Sequence, residues 1–182
     1  MQIEIKVDLR QVKEKIANLS ELLKNKKGIL RSVGEEIRES VRDRIRSGGP
    51  APDGTPWQPL SPSYLLVKKG KGILMESNQL IEQLSLELTE DSVTIGSNKV
   101  YARIHQLGGV IKHKPHTREI RLRTVKGKTR FAKKSHKNAR SVLANLPTRT
   151  TTIPARPYLG VSPADEATIK KIVESQIENA LK

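Results

Sequence analysis

Apolar positions recur along this chain with two spacings. Gln2–Val7 alternates, with Ile3, Ile5 and Val7 on one side and Gln2, Glu4 and Lys6 on the other, which predicts a short half-buried strand. Asp8 can cap a helix after that strand. Leu9, Val12, Ile16, Leu19 and Leu23 then step by three and four residues and predict an amphipathic helix ending near Asn25. Gly28 interrupts it. Leu30, Val33, Ile37, Val41 and Ile45 repeat the helical step, and Glu35, Glu36, Arg38, Glu39, Arg42 and Arg44 read as a mixed, solvated outer face. The interleaved acids argue against a DNA-contacting helix, because they would oppose phosphates. Ser47-Gly48-Gly49-Pro50 stops the helix.

The pattern then breaks. Ser47–Leu65 holds Pro50, Pro52, Pro56, Pro59 and Pro62, which excludes helix or central strand over most of its length. It also carries the only tryptophan, Trp57. That predicts an ordered loop rather than a flexible linker, with Trp57 pinned against the core or a neighbouring subunit. Short helices are predicted over Ser63–Lys69 and, capped by Ser77, around Leu80, Ile81 and Leu84. Leu84, Leu86 and Leu88 alternate, Glu90-Asp91 turns, and Val93 and Ile95 alternate, which predicts a β-hairpin over Ser85–Gly96. Next comes YARIHQLGG, Tyr101–Gly109. Val100, Ile104 and Leu107 share one helical face and Tyr101 and His105 a second, before Gly108 and Gly109 end the helix and turn the chain.

Charge changes the picture beyond this turn. The chain of 182 residues carries a formal +15. Lys112–Arg149 alone holds thirteen Lys and Arg against one acid, Glu119, and so accounts for +12 of that total. The protein is therefore near neutral with one basic insertion. Within it Ile120 and Leu122 alternate with Glu119, Arg121 and Arg123, Lys126-Gly127-Lys128 marks a turn, and Thr129–Ala132 resumes an extended run. These features predict an exposed hairpin, with the arm tailing off through Lys133 to Arg149. Its sidedness is poor, which suits an arm that is mobile alone or completed by a partner. Arg149–Ile153 is β-prone. Ser162-Pro163-Ala164-Asp165 starts a last helix to Leu181, with a buried face of Ala167, Ile169, Ile172, Val173, Ile177, Ala180 and Leu181.

The outline is α+β: a small antiparallel sheet packed with helices, plus an extended basic β-hairpin arm. We read residues 1–182 as a single domain with 110–150 as the basic hairpin insertion. One Trp, one Phe and three Tyr leave a core of aliphatic side chains. There is no cysteine, which removes disulfides, thiol catalysis and cysteine-ligated zinc. The N-terminus is too charged for a signal peptide and no apolar run is long enough to span a membrane. The expectation is a soluble chain made and used in a cytoplasm, with no membrane contact.

Candidate chemistry is sparse. His113 and His116 are three apart, but Pro115 lies between them and no acid cluster is near, so no metal site is expected. GxxxxGK[ST], GxGxxG and GxSxG are absent. Acid pairs such as Glu35 and Glu39, or Asp165 and Glu166, fit helix faces and helix starts. No catalytic, cofactor-binding or metal residue is assigned, and the chain is read as not an enzyme. The basic segment offers Lys112, Lys114, Arg118, Arg121, Arg123, Lys126, Lys128, Arg130, Lys133 and Lys134 for nucleic acid or for an acidic protein partner. Only Phe131 could stack on bases, so any DNA contact would be non-specific.

Three segments carry a resemblance. They are PAPDGTPWQPLSPSY (Pro50–Tyr64), ILMESNQLIEQLSLELTEDSVTIGSNKVYARIHQLGG (Ile73–Gly109) and IPARPYLGVSPADEATIKKIVESQI (Ile153–Ile177). Asp53, Gly54 and Trp57 match a DG-x-x-W loop. Leu74, Ser77 and Leu80 match a leucine-rich segment in which Asn78 replaces the usual glycine. Tyr101, Ala102, His105, Gln106, Gly108 and Gly109 match YA-x-x-HQ-x-GG, and Pro154–Gly160 matches PARP-[FY]-LG. This order resembles the phage virion morphogenesis family, which includes tail completion or neck proteins of Mu-like phages. The resemblance implies a structural protein of a phage or prophage that acts late in assembly, at head–tail joining or tail completion. It implies a homo-oligomeric ring subunit that meets other head, neck or tail proteins, is assembled in the host bacterial cytoplasm and ends in the virion. Trp57, Tyr101, His105, Gly108, Gly109, Arg156, Pro157 and Tyr158 are the structural and assembly candidates. The basic hairpin leaves the chain at Gly108-Gly109 and returns just before Ile153. Tyr101–Gly109 and Pro154–Gly160 should therefore lie together at its base, with His105 and Gln106 as polar fastening.

Overall fold

A computed structural model describes residues 10–182 of the protein. The predicted strand over Gln2–Val7, the Asp8 cap and Leu9 lie outside the described residues. The described residues fold as two compact units: one formed by residues 10–108 together with Pro154–Lys182, the other by Gly109–Ile153. The fold is α+β, with helices and small antiparallel sheets.

In the first unit α1 (Arg10–Lys24) and α2 (Lys27–Ser47) are separated by a turn at Asn25-Lys26. Gly28 thus lies inside the second helix rather than between the two. α2 buries Ile37, Val41 and Ile45 as their spacing predicts. It also buries Arg44, which the sequence pattern placed on the solvated face. That residue follows Val41 by three and Ile37 by seven, so it lies on the buried stripe. Gly48 ends α2 in the left-handed conformation (φ 80°), with its N–H on the Ile45 carbonyl and the Gly49 N–H on the Arg44 carbonyl.

α1 forms where the apolar spacing predicts a helix. The helix touches α6 (Pro163–Ala180), yet none of its residues is buried, and Val12, Ile16 and Leu23 are exposed. Periodicity reports that a helix has an apolar face, not that this chain covers it. On α6 the predicted Ile169, Ile172, Val173 and Ile177 are half-buried, whereas Ala167 and Leu181 are exposed. Its start matches the sequence pattern: Ser162 Oγ accepts from the Asp165 N–H at 3.2 Å, and the Asp165 carboxylate accepts from the Ser162 N–H at 2.7 Å.

Two short helices interrupt the loop region, α3 (Pro62–Leu65), capped by Ser61, and α4 (Gln79–Glu82). Ser77 does not cap α4. Asn78 takes that position at φ 58°, the left-handed backbone that suits the glycine it replaces. The hairpin β1 (Leu84–Leu88) and β2 (Val93–Ser97) forms as predicted and packs on α2, where Gly34 lets Leu86 and Val93 approach. The next helix is α5 (Ala102–Leu107). Val100 precedes it and is 97% exposed, and Leu107 is exposed too, so the predicted apolar face does not turn inward. Ala102 is buried instead, with His105 and Gln106 half-buried. The core gathers Ile37, Val41, Ile45, Trp57, Leu80, Ile81, Leu84 and Tyr158. No described helix is long and apolar enough to cross a membrane.

The second unit is more ordered than a tapering arm. β3 (Gly109–His113) pairs with β7 (Arg149–Ile153), Gly109 opposite Ile153. β4 (His116–Val125) pairs with β5 (Lys128–Phe131) across the Lys126-Gly127 turn, and its other edge pairs with β6 (Arg140–Leu146). The segment read as a tail, Lys133–Arg149, therefore supplies a third strand to the predicted hairpin. Val142 and Ala144 lie opposite Ile120 and Arg118, so Ile120 gains an apolar cross-strand neighbour where β5, which reaches only as far as Leu122, provides none.

Candidate functional site

Pro154–Gly160 runs through the first unit without belonging to a helix or strand. Pro154 and Pro157 hold it extended and supply no N–H of their own. A partly buried extended segment must still satisfy its backbone polar groups. Here side chains from three separate elements do so.

From α5, Gln106 Oε1 accepts from the N–H groups of Tyr158 and Leu159, each at 3.0 Å, while Gln106 Nε2 donates to the Leu159 carbonyl at 3.0 Å. The neighbouring His105 carbonyl accepts from the Arg156 N–H at 2.8 Å. From α2, Arg44 donates to the carbonyls of Tyr158 at 2.8 Å and Gly160 at 3.2 Å. From the proline-rich loop, Trp57 Nε1 donates to the Pro157 carbonyl at 3.0 Å. The Trp57 ring lies over Gly49, where a Cβ would come within 3.2 Å of it.

The segment's own side chains return these contacts. Arg156 is buried and donates from Nε and one terminal nitrogen to the Gln58 carbonyl at 3.1 and 3.0 Å, which ties down the loop beyond Trp57. Tyr158 is completely buried, with its hydroxyl 3.5 Å from the Ala102 carbonyl. Burial pushes the Tyr158 phenol up, and the nearby Tyr101 adds to this. Burial also lowers the pKa of Arg156. Gly160 adopts φ 144°, and Pro52 occupies the space that a side chain there would need.

Arg44 extends the network to the start of α6, donating to the Asp165 carboxylate at 3.1 Å within the buried interior. Burial alone would raise the Asp165 pKa. Hydrogen bonds from Ser40 and from the backbone and hydroxyl of Ser162, with the charge of Arg44, outweigh it and hold the carboxyl below its ordinary value. His105 packs edge-on against Tyr101, ring centres 5.9 Å apart. Its Nδ1 is buried without a hydrogen-bond partner among the described residues. Burial, then the charge of Arg156, lowers its pKa and favours the neutral ring.

The structure thus brings together Trp57, Tyr101, His105, Arg156, Pro157 and Tyr158, and places Gly108 and Gly109 where the chain leaves for the second unit. Arg44 and Asp165 were missed as site residues. The signal for Arg44 was its helical spacing from Ile37 and Val41. Nothing in the sequence marked Asp165 as more than a helix-start acid. Gln106, expected only as fastening, holds three of the segment's backbone groups.

Most polar side-chain atoms here are spent on backbone or on one another. An open cleft of about 470 Å³ lies beside Arg44. Of the polar residues lining it, Asp43 pairs with Arg46, Ser47 bonds the Arg44 and Gly49 carbonyls, and Ser162 bonds Asp165. Among the described residues no group of three or more His, Asp or Glu is placed to hold a metal ion.

The basic candidates all lie in the second unit. Lys112 is on β3, Lys114 between β3 and β4, and Arg118, Arg121 and Arg123 on β4. Lys126 is in the turn (φ 48°), Lys128 and Arg130 are on β5, and Lys133 and Lys134 come just after it.

Comparison with known proteins gives a consistent result. The model of a family described as the phage virion morphogenesis family matches residues 7–178. A protein G of Escherichia phage Mu, named for capsid assembly, is 21% identical over 187 residues, covering 100% of this chain and 98% of its own length. The Mu-like prophage FluMu G protein 2 of Haemophilus influenzae is 22% identical over 182 residues, covering 99% of each chain. No solved structure matches.

Proposed function

This chain belongs to the phage virion morphogenesis family, and from that premise we propose that it is a non-enzymatic structural subunit acting at tail completion or head–tail joining. The observation that carries the structural reading is the socket around Pro154–Gly160. Arg44, Trp57 and Gln106 each use their polar atoms to hold backbone, which leaves a rigid scaffold and no free nucleophile–base pair at that place. The phage Mu relative's name refers to capsid assembly, and a junction between head and tail accommodates both an assembly role and a completion role.

In this reading the protein works as a homo-oligomer, a ring in the assembled particle, contacting other head, neck or tail proteins. It joins the particle in the host bacterial cytoplasm and remains with the virion. Small subunits that close a ring do so through heterologous contacts. The exposed apolar stripe of α1, with Val12, Ile16 and Leu23, is surface that such a contact would cover.

Deletion of the gene in an inducible prophage, followed by electron microscopy of the lysate, tests the proposal. Heads and tails that remain unjoined, or tails with unfinished ends, are expected, with rescue by the gene in trans. Normal, fully joined virions would overturn it.

A further inference from the structure

The basic stretch divides by face once its register is known. Directly opposed residues of antiparallel strands share a face. The pairings of β4 with β5 and β6 therefore place Ile120, Leu122, Phe131, Val142, Ala144 and Leu146 together on one face. Arg121, Arg123, Lys128 and Arg130 lie on the other. There Arg123 stands directly opposite Arg130, and Lys128 is the next residue of β5 on the same face. Like charges placed opposite one another destabilise a sheet. None of these four cations has an ion pair among the described residues. The unit's one acid, Glu119, is also on this face, but it is paired across the sheet with Leu143 rather than with a cation.

Arg121 adds to the concentration of charge. Its guanidinium donates to the carbonyls of Lys134 at 3.0 Å and His136 at 3.4 Å, which ties the loop bearing Lys133, Lys134 and Lys137 to the same sheet. The cations are thus denser on this face, with four against Arg118 and Arg140 on the other, and an external anion would relieve the repulsion between Arg123 and Arg130.

We propose that this polar face of the β5-β4-β6 sheet binds the phosphate backbone of double-stranded DNA, without regard to sequence. The observations favour DNA over an acidic protein. A protein interface needs apolar or aromatic anchors at its centre, and the face offers only Val125 and Leu143 at its margins. The one aromatic of the unit, Phe131, is on the opposite face, so bases are not stacked. Ser141 and Asn145 share the polar face and supply neutral donors of the kind that accompany cations at phosphates, the Asn145 amide nitrogen being left over after its Oδ1 accepts from the Thr117 hydroxyl at 2.9 Å. This inference goes beyond the assembly role and does not depend on where in the particle the protein sits.

The test uses the full-length protein and a labelled mixed-sequence duplex, with affinity followed by fluorescence anisotropy across a salt series. Two double variants remove equal charge from exposed positions on opposite faces: Lys128→Gln with Arg130→Gln, and Arg118→Gln with Arg140→Gln. Wild type should bind with a log–log salt slope of about −0.9 for each phosphate neutralised. The first variant should lose about tenfold in affinity at fixed salt and have a slope shallower by about 2, roughly 1 for each contact removed. It should melt no lower than wild type, because it relieves repulsion at Arg123. The second should keep the wild-type slope. Equal losses in both variants, no duplex binding by wild type at low ionic strength, or tighter binding of polyglutamate than of the duplex would each overturn the proposal. The last result would assign the face to an acidic protein.

Discussion

Gln106 pairs with Leu159 as one strand residue pairs with another: its Nε2 donates to the Leu159 carbonyl and its Oε1 accepts from the Leu159 N–H, both at 3.0 Å. A side-chain amide has the donor and acceptor of a peptide group, so one residue of α5 can hold a length of chain that has no strand beside it. The same Oε1 also takes the Tyr158 N–H. Replacement by Ala would leave two N–H groups and a carbonyl without partners, at about 1 kcal/mol or more each where solvent does not reach. Gln106→Ala should therefore lose roughly 2–3 kcal/mol, read from urea unfolding. Gln106→Glu keeps the acceptor and loses the donor, and should fall between wild type and Ala. A Glu variant no more stable than the Ala variant would sink this account.

Arg44 and Asp165 should be unequal partners. Asp165 is held by the Ser162 backbone and hydroxyl as well as by Arg44. Arg44 also donates to two carbonyls of the extended segment. Removal of one member of a buried pair costs about 3–5 kcal/mol, because the other charge stays buried. Arg44→Met should reach that range, losing the carbonyl contacts as well. Asp165→Asn keeps a polar cap and should cost less. A double-mutant cycle in thermal unfolding measures the coupling. Equal effects of the two single changes would show that the carbonyl contacts contribute nothing.

Gly160 and Gly54 separate two costs. Both have positive φ, 144° and 85°, but a side chain at Gly54 meets open space while one at Gly160 would lie 2.7 Å from the Pro52 ring. Gly54→Ala should lose only the backbone term, about 1 kcal/mol. Gly160→Ala should lose more, roughly 2–4 kcal/mol, because a proline ring cannot rotate away. Chemical denaturation of the two variants side by side decides it.

Much of this could be read from the sequence, and the failures share a cause. The cap of α6, the stop at Gly48, the β1–β2 hairpin and the Lys126-Gly127 turn are local, set by residues a few positions apart. The meeting of Tyr101–Gly109 with Pro154–Gly160 was legible because the insertion between them must leave and return. What was missed depends on distant partners. The segment before Arg149 looks like a tail until β6 is set against β4, and only then do Val142 and Ala144 join Ile120 and Leu122 on one face. Arg44 shows that charge alone does not place a residue in solvent: its helical position points inward with Ile37 and Val41. The α1 stripe and Val100 show the opposite limit: the α1 helix forms as its spacing predicts, but apolar spacing says nothing about whether a cover exists.

Acid should weaken the first unit through two kinds of group, and His105 acts from the higher pH. Its pKa in the folded protein lies below the ordinary value of about 6.5 because burial, and then Arg156, disfavour the imidazolium. Between those two pKa values the unfolded chain binds more protons than the folded one, so stability falls as pH drops below about 6.5 and levels off once the folded ring also titrates. Above that range His105 contributes no slope. Asp165 acts lower down. Its folded pKa is also depressed, so its contribution is complete above the unfolded value of about 3.9 and is lost as pH falls through the folded one. Melting temperatures from pH 8 to pH 3 should thus decline in two stages. His105→Gln removes the first stage and leaves the second; Asp165→Asn leaves the first and shrinks the second, to which Glu39, Asp53 and Glu76, also held below their ordinary values by hydrogen bonds, contribute as well. NMR titration of the His105 ring is the direct check: a pKa at or above 6.5 would mean that the ring is not held neutral by burial beside Arg156.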